Sequence, residues 1–587
     1  MAATKRKARN TGPQAKSAGP EVFPKSKAQK AGFAETNLSI KEVKAALKNG
    51  QQHAAKQEWP EAVTELLKAW EALPEDLHIL TILAHALTQL GVREQAIYVL
   101  ERALHYHKPT PDVCSVIQQL ALDMGFDEIA EKLGHQLVSM DPKTVKHYIN
   151  LCTALNRQEK YDETIEMAQQ MLPMFPNSSD MWNVLATAVK FRDGKEASIV
   201  FYEEALRLNP KNHKVLSNIA DAIADQEIAH QYLERALEVD PNNPEIQIGH
   251  AFYLFRTGQL EEAWKNYASR LSSRRVQAQQ ITYTHRLPEW DGKTSLKDKV
   301  VLAACEQGIG DEVMFGLALR EIEPHCKQLV IGVDRRMVDI YQRAFPDAVV
   351  GAYRDGMLQG YRYRAFPEIE GKIKRGELSV DYAMPFASIL QHFWHKTADI
   401  SFPKKGYLRA DPAKSDEWRK RVDALGPGLK VGVTWQSGSV KAARQFGYLK
   451  LDDLEPILSV PGIQFVNMQY SDVSKQVEEF TARTGLKLHR FEDVNLKADI
   501  DANLSIMEHL DLVIGPAMST QVFAAAINRP VWWLTLYKPW WSFGAEEGIP
   551  WAPNGRYFSR FPDKDWRRNV EDVASALKEW AASHEKA

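Results

Sequence analysis

A beat of prolines constrains this chain more than anything else in it. Pro74, Pro109, Pro142, Pro176, Pro210 and Pro241 fall 35, 33, 34, 34 and 31 residues apart, within a helical, repetitive pattern. A period near 34 residues is that of a helix-turn-helix array. Each unit of such an array hides its apolar face only by stacking on its neighbour, so the expected product is a superhelix with a concave side. In the clearest unit, "MWNVLATAVKFRDGKEASIVFYEEALRLNP", Trp182, Leu185 and Ala186 are expected to line one helix. Ala197, Tyr202 and Ala205 line the next, and Pro210 ends it.

This unit is similar to the tetratricopeptide repeat at most of its signature positions. The array is expected over residues 38–270, and arrays of this kind bind peptides or protein segments, or assemble the chain's own oligomer. Residues 1–37 are rich in Lys, Arg, Pro, Ala and Gly and poor in apolar side chains. They cannot repay the entropy of ordering, so a disordered basic tail is expected, either a solubilising segment or a weak contact for an anionic surface.

At 587 residues the chain is too long for one core, and three structural units are expected. After residue 290 short β runs alternate with helices, the pattern of parallel sheets wrapped in helices. The strand-like runs are "VVLAA", "QLVIGV", "AVVGAY", "LKVGVTW", "IQFVNMQ", "DLVIG" and "VWWLTL". A polar stretch with Pro and Gly near its ends divides this region near residue 410, giving halves at 271–410 and 411–587 with a cleft between them. The stretch Gly360 to Glu377 reads as a mobile loop. A net charge of −2 implies no bulk attraction to nucleic acid, and no apolar run approaches the roughly 20 residues of a membrane span. Four widely spaced cysteines lack metal-ligand spacing, and no leader with an apolar core is visible, so reduced thiols in a cytoplasm are expected.

Ligands in parallel sheets sit outside the carboxyl ends of the strands, so the breaks after each strand hold the chemistry. In "CEQGIGDEVMF", Gln307 precedes the glycine pair Gly308 and Gly310, which frees a turn of Cβ atoms, and Asp311 follows. Asp311 reads either as a helix cap or as a base that accepts a proton from a hydroxyl; Glu306 and Glu312 are the next candidates. After "LKVGVTW" come Ser437, Gly438, Lys441 and Arg444, a phosphate cradle or a solvated basic loop. Gln469 and Tyr470 follow another strand, where a base could be read. Ser519 and Thr520 start a helix, as caps or as phosphate donors.

The ordered set "LPEWDG", "CEQGIGDEVMF", "VGVTWQSG", "FVNMQYSD" and "DLVIGPAMSTQVFAAA…PVWWLTL", behind the repeats, resembles the bacterial repeat-containing glycosyltransferases, relatives of the heptosyltransferases. The resemblance covers residues 40–580. It implies an all-α tetratricopeptide-repeat superhelix followed by an α/β GT-B domain, whose N-terminal Rossmann-like half faces the acceptor and whose C-terminal half holds the donor. Asp311 matches the proposed general base, with Gln307, Gly308 and Gly310 around it. Trp435, Ser437, Gly438, Lys441, Arg444, Gln469, Tyr470, Ser519 and Thr520 fall on the donor side. No metal or cofactor is implied, since cations and helix ends neutralise the leaving phosphate. Met518 and the lack of a nearby histidine depart from the heptosyltransferase pattern and leave the donor open.

The expected activity is inverting transfer of a sugar from a nucleotide donor to Ser or Thr of a protein selected by the repeats. By resemblance in domain order and length to flagellin-modifying enzymes, flagellin is the expected acceptor and a nonulosonic acid the expected sugar. A transferase acting on lipopolysaccharide or another surface glycan, and a non-catalytic peptide-binding scaffold, are the rival readings.

Overall fold

The computed structural model describes residues 39–56, 58–90, 92–107, 109–123, 125–272, 281–358, 361–437, 447–560 and 565–584. The basic tail lies outside them. The described residues form two compact units, one of residues up to 107 without 92–94, the other of those three and residues 109–584.

The first unit holds the helices Ile40–Ala55, Trp59–Ala72 and Leu77–Gln89 and, from Gln95 on, the helix Arg93–Tyr106. Ser39 and Glu42 open it with a reciprocal capping box. The first two helices approach closely because Gly50 lacks a side chain: a Cβ there would come within 2.7 Å of Leu66. Leu66, Leu80 and Leu83 are fully buried in its core.

The second unit begins with five helix pairs, running from Pro111–Asp123 to Leu260–Tyr267. The repeat reading holds in detail. Leu185, Ala186, Tyr202 and Ala205 are buried between neighbouring helices, and Trp182 stacks on Phe201 with ring centroids 6.2 Å apart. Ala197 departs from expectation and stays exposed. Asp225 and Asn243 cap the helices Gln226–Val239 and Pro244–Thr257 by accepting from first-turn amides.

The rest of the unit is built on twelve strands: β1 (Ile281–Tyr283), β2 (Val300–Ala304), β3 (Gln328–Val333), β4 (Val349–Ala352), β5 (Arg354–Leu358), β6 (Tyr361–Ala365), β7 (Tyr382–Pro385), β8 (Leu429–Val433), β9 (Ile463–Asn467), β10 (Leu512–Pro516), β11 (Val531–Thr535) and β12 (Gly555–Ser559). They form one four-stranded sheet, order β4-β3-β2-β7, one of five, order β12-β11-β10-β8-β9, and a small sheet β1-β6-β5. Every pair in the two larger sheets is parallel. All seven strand-like runs are strands.

One expectation fails. The supposed mobile loop contains β6 and the helix Pro367–Lys374, and β6 pairs antiparallel with β5. Arg364 explains why: its guanidinium is fully buried, binding Asp355 at 2.7 Å and the carbonyl of Cys305 at 2.8 Å, so the segment is pinned to the core. The stretch near residue 410 holds the helix Pro412–Asp423, capped by Asp411.

Nor is residue 270 a boundary in space. Arg270, in the last turn of the array, forms a doubly hydrogen-bonded pair with Glu306 after β2, with both contacts at 3.0 Å and both side chains buried. Trp264 donates to the carbonyl of Trp394. Phe255 packs edge-on against both Trp264 and Phe543, so the array's final helices share one continuous apolar core with the sheets.

Candidate functional site

The carboxyl ends of β2, β8, β9, β10 and β11 open on one cleft of about 660 Å³, within the roughly 300–1,000 Å³ of small-ligand sites. From β2 come Gly308, Gly310 and Asp311; from β8 and β9, Ser437 and Tyr470; from β10, Ser519. These are the strand ends singled out in the sequence, brought together by the two parallel sheets.

Asp311 lies in the first turn of the helix Ile309–Phe315, not at its cap. The cap position is Gly308, and no side chain caps the helix. The capping role is therefore removed, and Asp311 is the only carboxylate lining the cleft among the described residues. The glycines do not serve backbone strain, since neither has a positive φ. They keep the wall thin: a Cβ on Gly310 would touch Ser519 at 3.4 Å, and one on Gly308 would meet nothing closer than the Asp311 carboxylate at 3.9 Å. Gln307 donates to the hydroxyl of Tyr267 and so holds the array's last helix rather than a ligand.

Several expected site residues turn inward. Trp435 is fully buried, its indole N–H donating to Gln476. Gln469 clasps the turn after β8, its Oε1 accepting from the backbone N–H groups of Trp435 and Gln436 at 3.1 and 3.4 Å. The two form the frame of the cleft and make no surface for a base. Ser437 and Tyr470 do line it, joined hydroxyl to hydroxyl at 2.9 Å. Neither Ser519 nor Thr520 caps its helix, because that position is Met518. Thr520 is fully buried and absent from the cleft wall. Gly438, Lys441 and Arg444 lie outside the described residues.

The reserve bases are also excluded from the cleft. Glu306 is held by Arg270 and by the backbone N–H of Ala387. Glu312 is buried beneath the cleft helix, where burial and then the Asp334 charge push its carboxyl up to about 8. It accepts from the backbone N–H of Asp334 at 3.1 Å. Below the unfolded value near 4.5 the proton is bound in both states and costs nothing. As pH rises toward 8 the unfolded chain releases that proton while the folded protein keeps it, so stability falls by about 1.4 kcal/mol per pH unit across that window. Glu312→Gln is expected to abolish this decline, so that its urea midpoint gains on the wild type steadily from pH 5 to 8. A difference that stays constant over that range would contradict the assignment.

Other cleft residues escape the sequence reading. Tyr537, Lys538 and Trp540 follow β11, in "YKPWW", and could have been found by examining that strand end like the others. Lys195 and Arg256 come from repeat helices and carry no signal, being ordinary cations on amphipathic faces. Arg256 donates to the carbonyl of Lys538 and to Gln226, both at 2.7 Å. Burial pushes its guanidinium down to about 10, and burial with the Arg256 charge lowers Lys538 as well. Two cations crowded into one wall, each less willing to stay charged, favour an anionic ligand that would restore them.

Helix pairs at a period near 34 residues, joined to parallel sheets with a cleft at their strand ends, define a tetratricopeptide-repeat protein with a C-terminal α/β region. The chain belongs to the FlbA family: it is 32% identical over 534 residues to Protein FlbA of Caulobacter vibrioides, spanning 88% of this chain and 86% of that one. No family model matches it. Among solved structures it is similar to a thermophilic tetratricopeptide-repeat protein of Thermus thermophilus, with 17% identity over 30% of this chain and 99% of that one and a TM-score of 0.28. It is also similar to a tetratricopeptide repeat protein of Parabacteroides merdae, with 14% identity over 39% and 91% and a TM-score of 0.32. Among the described residues no helix is long and apolar enough to cross a membrane.

Proposed function

We propose that this chain is a glycosyltransferase of the GT-B type, moving a sugar from a nucleotide donor to a Ser or Thr hydroxyl of a protein. The observation that carries the reading is the meeting of five strand ends from two parallel sheets on one cleft that holds, among the described residues, a single carboxylate and a cluster of cations. Asp311 takes the proton of the acceptor hydroxyl as its oxygen bonds to the sugar carbon and the bond from that carbon to the donor phosphate breaks. Arg256 and Lys538 supply positive charge to the departing phosphate, which needs no metal for that purpose. The repeats select the acceptor. Flagellin as that acceptor and a nonulosonic acid as the sugar rest on the sequence resemblance, and the cytoplasm as the place rests on the widely spaced cysteines.

The test is nucleotide binding. CMP, UDP, GDP or ADP at a hundredfold excess over its dissociation constant is expected to stabilise the folded protein by about 2.7 kcal/mol, and Arg256→Met to weaken that gain. If all four leave the melting temperature unchanged, the reading falls.

A further inference from the structure

One wall of the cleft carries an indole that its neighbours brace from behind and leave partly open. Trp533, Trp541 and Trp551 line the same cleft but are at most 9% exposed, whereas Trp540 is only half-buried. Four rings stand against it, Phe252 at 5.1 Å, Phe255 at 5.7 Å, Phe315 at 6.2 Å and Tyr267 at 6.3 Å between centroids. A fifth, Phe543, meets it edge-on at 6.0 Å. Tyr267 lies 6.0, 5.6 and 6.1 Å from Phe252, Phe255 and Phe315, and Phe543 lies 5.4 Å from Phe255. The five therefore form one contiguous patch behind Trp540, and its accessible part belongs to the cleft.

The two helices that brace it decide what it meets. Phe315 sits one turn beyond Asp311 on the same face of the helix Ile309–Phe315, and Phe252 and Phe255 belong to the helix Pro244–Thr257 that carries Arg256. Arg256 in turn donates to the carbonyl of Lys538, two residues before Trp540. The indole is thus wedged between the helix of the carboxylate and the pair of cations. In sugar transfer the group that spans this interval is the glycosyl ring, whose anomeric carbon takes the acceptor oxygen on one side and releases the phosphate on the other. Such a ring carries C–H bonds on its flat side and hydroxyls around its edge, and the C–H side packs on the electron-rich face of an aromatic ring. We propose that Trp540 is the platform for the glycosyl ring of the donor and a determinant of sugar specificity, an inference that rests on the glycosyltransferase reading above. Phe252, Phe255 and Tyr267 belong to the last repeat helices, so the array itself sets the angle of the platform.

Affinities of the full chain for CMP, UDP, GDP and ADP, and for nucleotide sugars built on each, test the platform. At least one nucleotide sugar is expected to bind more tightly than its bare nucleotide. Trp540→Leu keeps apolar bulk against the supporting rings and removes the flat face, so it should weaken that nucleotide sugar about tenfold and leave the bare nucleotide within about twofold. Trp540→Phe keeps an aromatic face and should recover most of the loss, a sorting of ligands and variants that a merely structural role would not produce. If leucine prevents folding, Trp540→Met, whose flexible chain adapts to the gap, takes its place with the same expectation. Equal weakening of the bare nucleotide would set the indole against the base or the phosphates and overturn the inference. It is equally overturned if the leucine variant binds the nucleotide sugar as the wild type does, or if no nucleotide sugar outbinds its nucleotide. If the wild type binds neither class of ligand, the glycosyltransferase reading itself fails.

Discussion

Asp311→Asn is expected to fold and bind nucleotide as the wild type does while its sugar-transfer rate falls by about 10² to 10⁴, the contribution of a positioned general base. The size of that expectation comes from geometry. With Gly308 in the cap position and no side chain capping the helix, the substitution removes no cap. What it does remove, besides the base, is a negative charge in the first helical turn, worth about 0.3–1 kcal/mol against the helix dipole. Turnover and stability therefore separate cleanly: the first should collapse and the second barely move. Single-turnover transfer from a nucleotide sugar to an acceptor protein, with urea unfolding of the same preparations, measures both. An asparagine variant with near-normal turnover would remove Asp311 from the chemistry, and neither Glu306 nor Glu312 could replace it, since both face the interior.

The largest expected loss of stability lies at Arg270. Arg270→Met leaves the Glu306 carboxylate buried beside Ala387 and Ser388 without its partner, and removing one member of such a pair costs roughly 3–5 kcal/mol. Replacing both, as Arg270→Met with Glu306→Leu, removes the stranded charge and should recover much of that loss, because the well-packed apolar alternative spares the desolvation of two ions. Chemical denaturation of the two single variants and the double variant gives the coupling directly. If the single and double variants lose the same amount, the pair is not what joins the array to the sheets.

Much of this architecture was legible in the chain. The proline beat gave the repeats, because a stacked helix pair must return on itself at a fixed interval. The apolar runs gave seven of the twelve strands, because strands buried on both faces carry a continuous signal. β6 was hidden by its composition: "YRYRA" puts an arginine where a core residue is expected. Only the buried contacts of Arg364 with Asp355 and Cys305 reveal why that is tolerated. The site was legible to the extent that it lies at strand ends. Asp311, Ser437, Tyr470 and Ser519, expected by that rule, line the cleft. Trp435, Gln469 and Thr520 turn away from it, because position after a strand does not tell which way a side chain turns. Lys195 and Arg256 were out of reach, since the stacking of helices far along the chain brings them to the cleft.

The shared core at the end of the array limits how this protein can be taken apart. Trp264, Tyr267 and Arg270 belong to the repeats by sequence and to the sheets by packing, and Arg256 of the preceding helix forms part of the cleft wall. A fragment starting at residue 271 would lose the partner of Glu306 and a wall of the site, and would report on damage instead of on acceptor choice. The smallest exchangeable cassette that carries the cleft therefore begins no later than Ser179, where the helix pair that brings Lys195 to the cleft starts. Chimeras between relatives should be joined in the turn before that residue, so that the helices lining the cleft travel with the sheets.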